Sequence, residues 1–172
     1  MLISQEYKNQ VQQKHRENKD WGTTSHRYGE LISDIINKTR VDEVLDYGCG
    51  KATLGKSLKP DHKVRVHLYD PGIPELDKEP EPREMVVCTD VMEHIEPDYL
   101  DNVLDDLKRV TKNIGFIDIC TVEAIQKLPD GRNAHLIVEP LEWWLPKLME
   151  RFAVQSLSRN ETGFWVVVKN GD

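Results

Sequence analysis

The chain has 172 residues, of which 38% are apolar and 31% charged. That length suits one domain, residues 1–172, able to bury a core without disulfides or metals, and the composition excludes a disordered or fibrous chain. The net charge of −7 argues against a general duplex-DNA binder, which normally shows a basic surface.

The segment Met1–Glu6 has no apolar signal-type run, and no stretch approaches membrane-span length. A polar helix is expected over 4–18. Its Lys8, Lys14 and Arg16 interleave with Glu6 and Glu17, which reads as a solvated face rather than a basic patch. Trp21-Gly22-Thr23-Thr24 forms a loop, and a second helix follows near 26–38. Val44 and Leu45 open a short buried strand, 42–46, that ends in Asp46 and the turn Gly48-Cys49-Gly50. Glycines there allow a tight turn and a close approach of ligand to backbone. A helix over 51–59 would aim its N-terminal amides at that turn, as in a nucleotide site at the end of a parallel strand.

Val64–Tyr69 alternates and is rich in β-formers, so it reads as the next strand. Asp70 closes it, 24 residues after Asp46. An acid about 20 residues past a glycine turn can accept two ribose hydroxyls, although Asp70-Pro71-Gly72 also suits a plain turn. Prolines 71, 74, 80 and 82 forbid regular structure over 71–84. A strand over 85–89 leads into Thr89-Asp90-Val91-Met92-Glu93-His94. The helix at 97–111 carries one apolar stripe, Leu100, Val103, Leu104, Leu107 and Val110. A strand at 114–120, a helix within 140–152 and strands at 153–158 and 164–169 complete the chain. The last two, joined by the short Arg159–Gly163 turn, imply an antiparallel hairpin. Cys49, Cys88 and Cys120 show no metal-type spacing. They read as buried reduced thiols, which fits a cytoplasmic protein, and no metal is expected.

The D-x-G-x-G run at Asp46–Gly50 resembles motif I of the class I S-adenosylmethionine (SAM) methyltransferases, with Ala52 where that family often has a third glycine. A dinucleotide fingerprint would need glycine at Thr53, which disfavours a nicotinamide-dependent oxidoreductase. Asp90–Ile95 resembles the D-V-L-E-H-I segment of type 11 methyltransferases, including the ubiquinone-pathway O-methyltransferases. The resemblance implies a Rossmann-like, doubly wound α/β fold: a mostly parallel sheet, helices on both faces, and the C-terminal hairpin. The family also has a helix and strand between the second strand and the D-V-x-E-H strand. Such a unit needs about 30 residues, so strand 3 is expected to be missing.

The resemblance further implies SAM as methyl donor and S-adenosylhomocysteine as product. Asp46 and the amides of Gly48, Cys49 and Gly50 would hold its amino-acid end, and Asp70 its ribose. Pro71, or the backbone around Thr89, Asp90 and Val91, would have to close the adenine pocket. Residues 1–40 would form a lid over a core of 41–172, with Trp21 and Tyr28 either over the donor or simply packed. The acceptor would be a small molecule in a monomer or homodimer. No standard base-flipping motif is present, so a nucleic acid is disfavoured. His135 and His94 are the candidate bases because imidazole titrates near neutrality; either could instead be structural. Arg132, Asn133 and Trp143 are the candidate acceptor contacts, and Trp143 could equally be packing. The rival reading is a SAM-binding module without methyl transfer, or an enzyme that consumes SAM otherwise.

Overall fold

The computed structural model describes residues 1–171. The chain opens with α1 (Gln5–Glu17), a 3₁₀ turn (Thr24–Tyr28) and α2 (Gly29–Thr39). The central part follows: β1 (Glu43–Tyr47), α3 (Leu54–Ser57), β2 (Arg65–Tyr69), β3 (Arg83–Thr89), α4 (Leu100–Val110) and β4 (Thr111–Cys120). The last elements are α5 (Leu141–Met149), β5 (Phe152–Arg159) and β6 (Gly163–Asn170). One six-stranded sheet runs β2-β1-β3-β4-β6-β5. The β1, β2, β3 and β4 pairs are parallel, and β6 pairs antiparallel with both β4 and β5.

The period-two side-chain rule sorts each strand between two cores. Leu45, Val86, Cys88, Ile117 and Ile119 face α4 and α5, where they pack with Leu104, Leu107, Trp144 and Leu148. Val44, Met85, Val87, Ile114 and Phe116 face the other way, onto Ile32 and Ile36 of α2 and Leu54 of α3. Helices therefore cover both faces. The apolar stripe of α4 is fully inward, and burial of each such side chain contributes about 1.5–3 kcal/mol. The same helix carries Asp101 in its first turn and Lys108 and Arg109 in its last, matching its dipole.

The strand expected to be missing is missing. Residues 71–82 make only turns and coil, so β2 is an edge strand. The helix expected over 51–59 shrinks to Leu54–Ser57. At its front, Ala52 is left-handed (φ 54°) and donates to Cys49 O at 2.8 Å, while Lys51 N–H is taken by Gly22 O at 2.8 Å. At its back, Pro60 biases Lys59 towards extended backbone, and Lys59 N–H bonds Ser33 Oγ of α2 at 2.8 Å. Among the described residues, no helix is long and apolar enough to cross a membrane.

Candidate active site

The site begins at the C-terminal ends of β1 and β3, where the strand order reverses and open α/β sheets leave a crevice. The turn after β1 is closed by its own backbone. Gly48 and Cys49 N–H both donate to Tyr69 O, at 2.8 and 3.0 Å. Gly50 N–H donates to Asp70 Oδ2 at 2.9 Å, and Gly72 N–H to Asp70 Oδ1 at 2.8 Å. These amides are committed, which corrects the expectation that they would receive a ligand. They serve instead to lock the turn against the end of β2. Asp70 lies on the cavity wall. An ionised carboxylate has about four lone-pair sites, so two remain for ligand hydroxyls.

Glycine is required at position 48 for steric reasons. Its φ is +76°, and a Cβ there would lie 2.4 Å from Val91 Cγ2. Asp46 is buried behind the turn, does not line the cavity, and leaves Oδ2 without a partner. Burial raises its pKa to about 7, and the charge of Asp70 adds to the effect.

A cavity of about 520 Å³ opens above the turn, within the range of about 300–1,000 Å³ typical of ligand pockets. Its roof is the N-terminal segment. Tyr7, Val11 and His15 of α1, with Trp21 and Gly22, face into it. Tyr7 Oη donates to His94 O at 2.7 Å. His15 Nε2 lies 3.9 Å from Asp70 Oδ2, its Nδ1 is buried without a partner, and burial depresses its pKa. Thr24 Oγ1 donates to Asp90 Oδ2 at 2.8 Å. The solvated reading of α1 therefore holds for only part of its surface. Ile3, Tyr7, Val11 and His15 recur every fourth residue, and that spacing is the signal that sequence reasoning missed.

The opposite wall comes from the segment after β4. Cys120, Val122–Gln126 and His135 line it, facing Asp90, Val91 and His94. Cys120 is half-buried rather than buried, because it sits at this wall. His94 Nδ1 is 2.8 Å from Ala134 O and His135 Nδ1 is 2.6 Å from Val122 O. A carbonyl only accepts, so Nδ1 of each ring is the donor in these bonds. The rings meet edge to face at 4.7 Å, and Trp21 caps His94 at 5.2 Å. Burial pushes the His94 pKa down to about 4, with Asp90 opposing and His135 reinforcing the shift.

The structure thus gathers Gly48, Gly50, Asp70, Pro71, Asp90, Val91, Trp21, His94 and His135 on one cavity. The other sequence candidates lie off its wall. Cys49 and Thr89 are buried. Tyr28 packs on Phe116 of the α2 face and donates to Asp118 Oδ1 at 2.6 Å. Arg132 pairs with Asp130 at 2.7 Å in the open. Asn133 braces the wall loop: its Nδ2 donates to Ala124 O at 2.9 Å, and its Oδ1 accepts His135 N–H at 2.9 Å. Trp143 lies against Trp144, with Lys147 Nζ 4.5 Å from its ring centre.

No protein-family model and no curated protein matches the sequence. Solved structures do match. An O-methyltransferase family protein from Burkholderia thailandensis aligns over 94% of this chain and 63% of its own, with TM-score 0.66 and 12% identity. The magnesium protoporphyrin IX methyltransferase of Synechocystis, solved with SAM bound, aligns over 95% of this chain and 97% of its own, with TM-score 0.65 and 10% identity. The fold is that of these methyltransferases. A third neighbour, the 1,6-didemethyltoxoflavin-N1-methyltransferase of B. thailandensis, was solved with 1,6-didemethyltoxoflavin and S-adenosylhomocysteine bound. It aligns over 97% of this chain and 90% of its own, with TM-score 0.61 and 16% identity. This chain spans less than two thirds of the first of these proteins. At such identities the likeness is one of methyltransferase fold, and chemistry has to be argued from the cavity.

Proposed function

We propose that the chain is a SAM-dependent methyltransferase that modifies an oxygen or nitrogen atom of a small molecule. The observation that carries this reading is Asp70: a carboxylate at the end of β2, clamped to the glycine turn, facing the cavity with two lone-pair sites uncommitted. That is the acceptor geometry a ribose diol needs. The SAM and S-adenosylhomocysteine bound in structures of the same fold support it.

The remaining wall suits the rest of such a ligand. Pro71, Val91 and Ile95 line the cavity and offer apolar surface to a purine in place of strand 3. Asp20 and Arg27 also line the cavity and match the ammonium and carboxylate of an amino-acid end, the role that Asp46 and the occupied turn amides do not reach. Residues 1–40 then act as a lid, with Trp21 and α1 excluding water. The bound donor supplies a methyl group on a positively charged sulfur. The protein mainly aligns the reactants, which contributes about 7–11 kcal/mol in well-oriented systems. His94 and His135 also line the cavity, where their Nε2 atoms can take the proton of a nucleophile. Val122 and Ile125, exposed apolar side chains beside them, fit an uncharged acceptor face.

The test is calorimetric titration with SAM, with NAD as control, on wild type and Asp70→Asn. Saturation at 100 times the dissociation constant should also stabilise the fold by about 2.7 kcal/mol. Binding of SAM but not NAD, weakened by the substitution, is the expected result. A folded wild type that ignores SAM, or an Asp70→Asn protein that binds it equally well, refutes the reading.

A further inference from the structure

We propose, on the SAM reading of the cavity, that His15 of the roof helix is a second ribose contact: it shares one hydroxyl of the donor with Asp70, so that the bound donor ties α1 to the end of β2.

The backbone fixes where the imidazole lies. His15 is in the last turn of α1. Its carbonyl accepts from Lys51 Nζ at 2.6 Å, while Lys51 N–H donates to Gly22 O at 2.8 Å. The end of the helix is thereby pinned to the glycine turn. The ring then stands in a slot between two glycines. A Cβ on Gly22 would lie 3.2 Å from His15 Cε1, and one on Gly72 would lie 3.4 Å from its Cδ2. Nε2 is bonded to both of those carbons, so it points out between the two glycines. Asp70 Oδ2 lies 3.9 Å away in that direction, and the two side chains are only 9% and 10% exposed. Both residues line the cavity.

Three observations mark the pair as a ligand contact rather than an internal ion pair. First, 3.9 Å is too long for a direct hydrogen bond. Two atoms that each bond one shared oxygen at about 2.8 Å stand about 4–4.6 Å apart for angles of about 90–110°, and the observed distance falls at the near end of that range. Second, the imidazole is unmatched. Nδ1 is buried without a partner, and Nε2 makes no hydrogen bond among the described residues, its approach to Asp70 being the 3.9 Å contact. A buried polar group left unpaired is costly, and a ligand hydroxyl would relieve it. Third, burial lowers the His15 pKa, with Asp70 opposing and Lys51 reinforcing the shift, so the ring is neutral at pH 7. A neutral imidazole donates from one nitrogen, and the carboxylate in front of Nε2 favours the proton there. A hydroxyl between them can donate to Oδ2 and accept from Nε2–H.

The contact is asymmetric. Gly72 N–H holds Asp70 Oδ1 and Gly50 N–H holds Oδ2, so the two oxygens are fixed apart and can each take one hydroxyl of a ribose diol. His15 meets the carboxylate on its Oδ2 side. One hydroxyl would therefore touch both Asp70 and His15, and the other Asp70 alone.

The experiment is calorimetric titration of the full chain with S-adenosylhomocysteine and with its 2′-deoxy and 3′-deoxy analogues. Wild type, His15→Ala and His15→Gln are compared, with circular dichroism to confirm that each is folded. His15→Ala should weaken S-adenosylhomocysteine binding by about 3–10-fold, the worth of one neutral hydrogen bond. The analogue lacking the shared hydroxyl should lose about 3–10-fold less affinity in His15→Ala than in wild type, and the other analogue should lose the same in both. A general loosening of α1 weakens all three ligands alike and cancels in this comparison. His15→Gln, whose amide nitrogen can stand near the place of Nε2, should restore the asymmetry. If His15→Ala does not fold, His15→Asn, whose amide is too short to reach, replaces it. Binding of S-adenosylhomocysteine with no coupling at either hydroxyl, or with equal coupling at both, overturns the role of His15 and leaves the methyltransferase reading standing. A folded wild type that ignores S-adenosylhomocysteine overturns both.

Discussion

Replacing Gly48 by alanine tests the argument that the turn is shaped by protein contacts. Two costs add. Position 48 has φ +76°, and an L-residue with a left-handed backbone costs about 1–2 kcal/mol. The new Cβ would lie 2.4 Å from Val91 Cγ2 and 3.0 Å from Val91 Cγ1, an overlap of the kind that costs about 1–3 kcal/mol. Gly48→Ala should therefore lose about 2–5 kcal/mol. At about 2–4 °C per kcal/mol for a chain of this size, a mid-range loss of roughly 3 kcal/mol lowers Tm by about 6–12 °C. The steric part is separable, because Val91→Ala in the same chain removes the clash and leaves the backbone cost. Urea denaturation of the two single variants and the double variant measures both parts, and the coupling should recover about 1–3 kcal/mol. If Gly48→Ala is as stable as wild type, or if Val91→Ala gives no recovery, the close packing of the turn on Val91 is refuted.

Two further outcomes are expected. Trp144 is fully buried in the core that α4 and α5 share while Trp143 is half-exposed; Trp144→Ala should cost about 3–5 kcal/mol and Trp143→Ala well under half of that, and equal losses in denaturant would contradict the orientation of α5. The buried Asp46, raised to about pKa 7 by desolvation, binds its proton more tightly folded than unfolded. Its contribution to stability is then fully present below about pH 4 and lost as pH rises towards 7; Asp46→Asn should flatten the fall in unfolding free energy between about pH 4 and 7, and an unchanged slope would show that Asp46 is ionised in the folded chain.

Local patterning determined much of this protein. The apolar stripe of α4, the alternation of the strands and the glycine turn are short-range signals, and they placed nearly every element within a few residues. Counting residues between Asp70 and Met85 was enough to remove a strand, because a crossover unit has a minimum length. The sequence also singled out Asp70, Asp90, His94 and His135, each at a strand end or in a chemically unusual loop, and the fold brings all four to one cavity. Contacts between distant segments are not written in any local period, and there the sequence was silent or misleading. The helix after the turn was shortened by Gly22, about 30 residues upstream, and by Ser33 on another helix. The turn amides were claimed by Tyr69 and Asp70 before any ligand could use them. α1 became the roof because the face carrying Tyr7, Val11 and His15 found the cavity, a partner that a polar composition did not announce. Only the tertiary structure brought His94 and His135, 41 positions apart in the chain, ring to ring against Asp90, with each proton turned away onto a carbonyl. That arrangement depends on the folding of the loop braced by Asn133, a long-range event that no spacing in the sequence encodes.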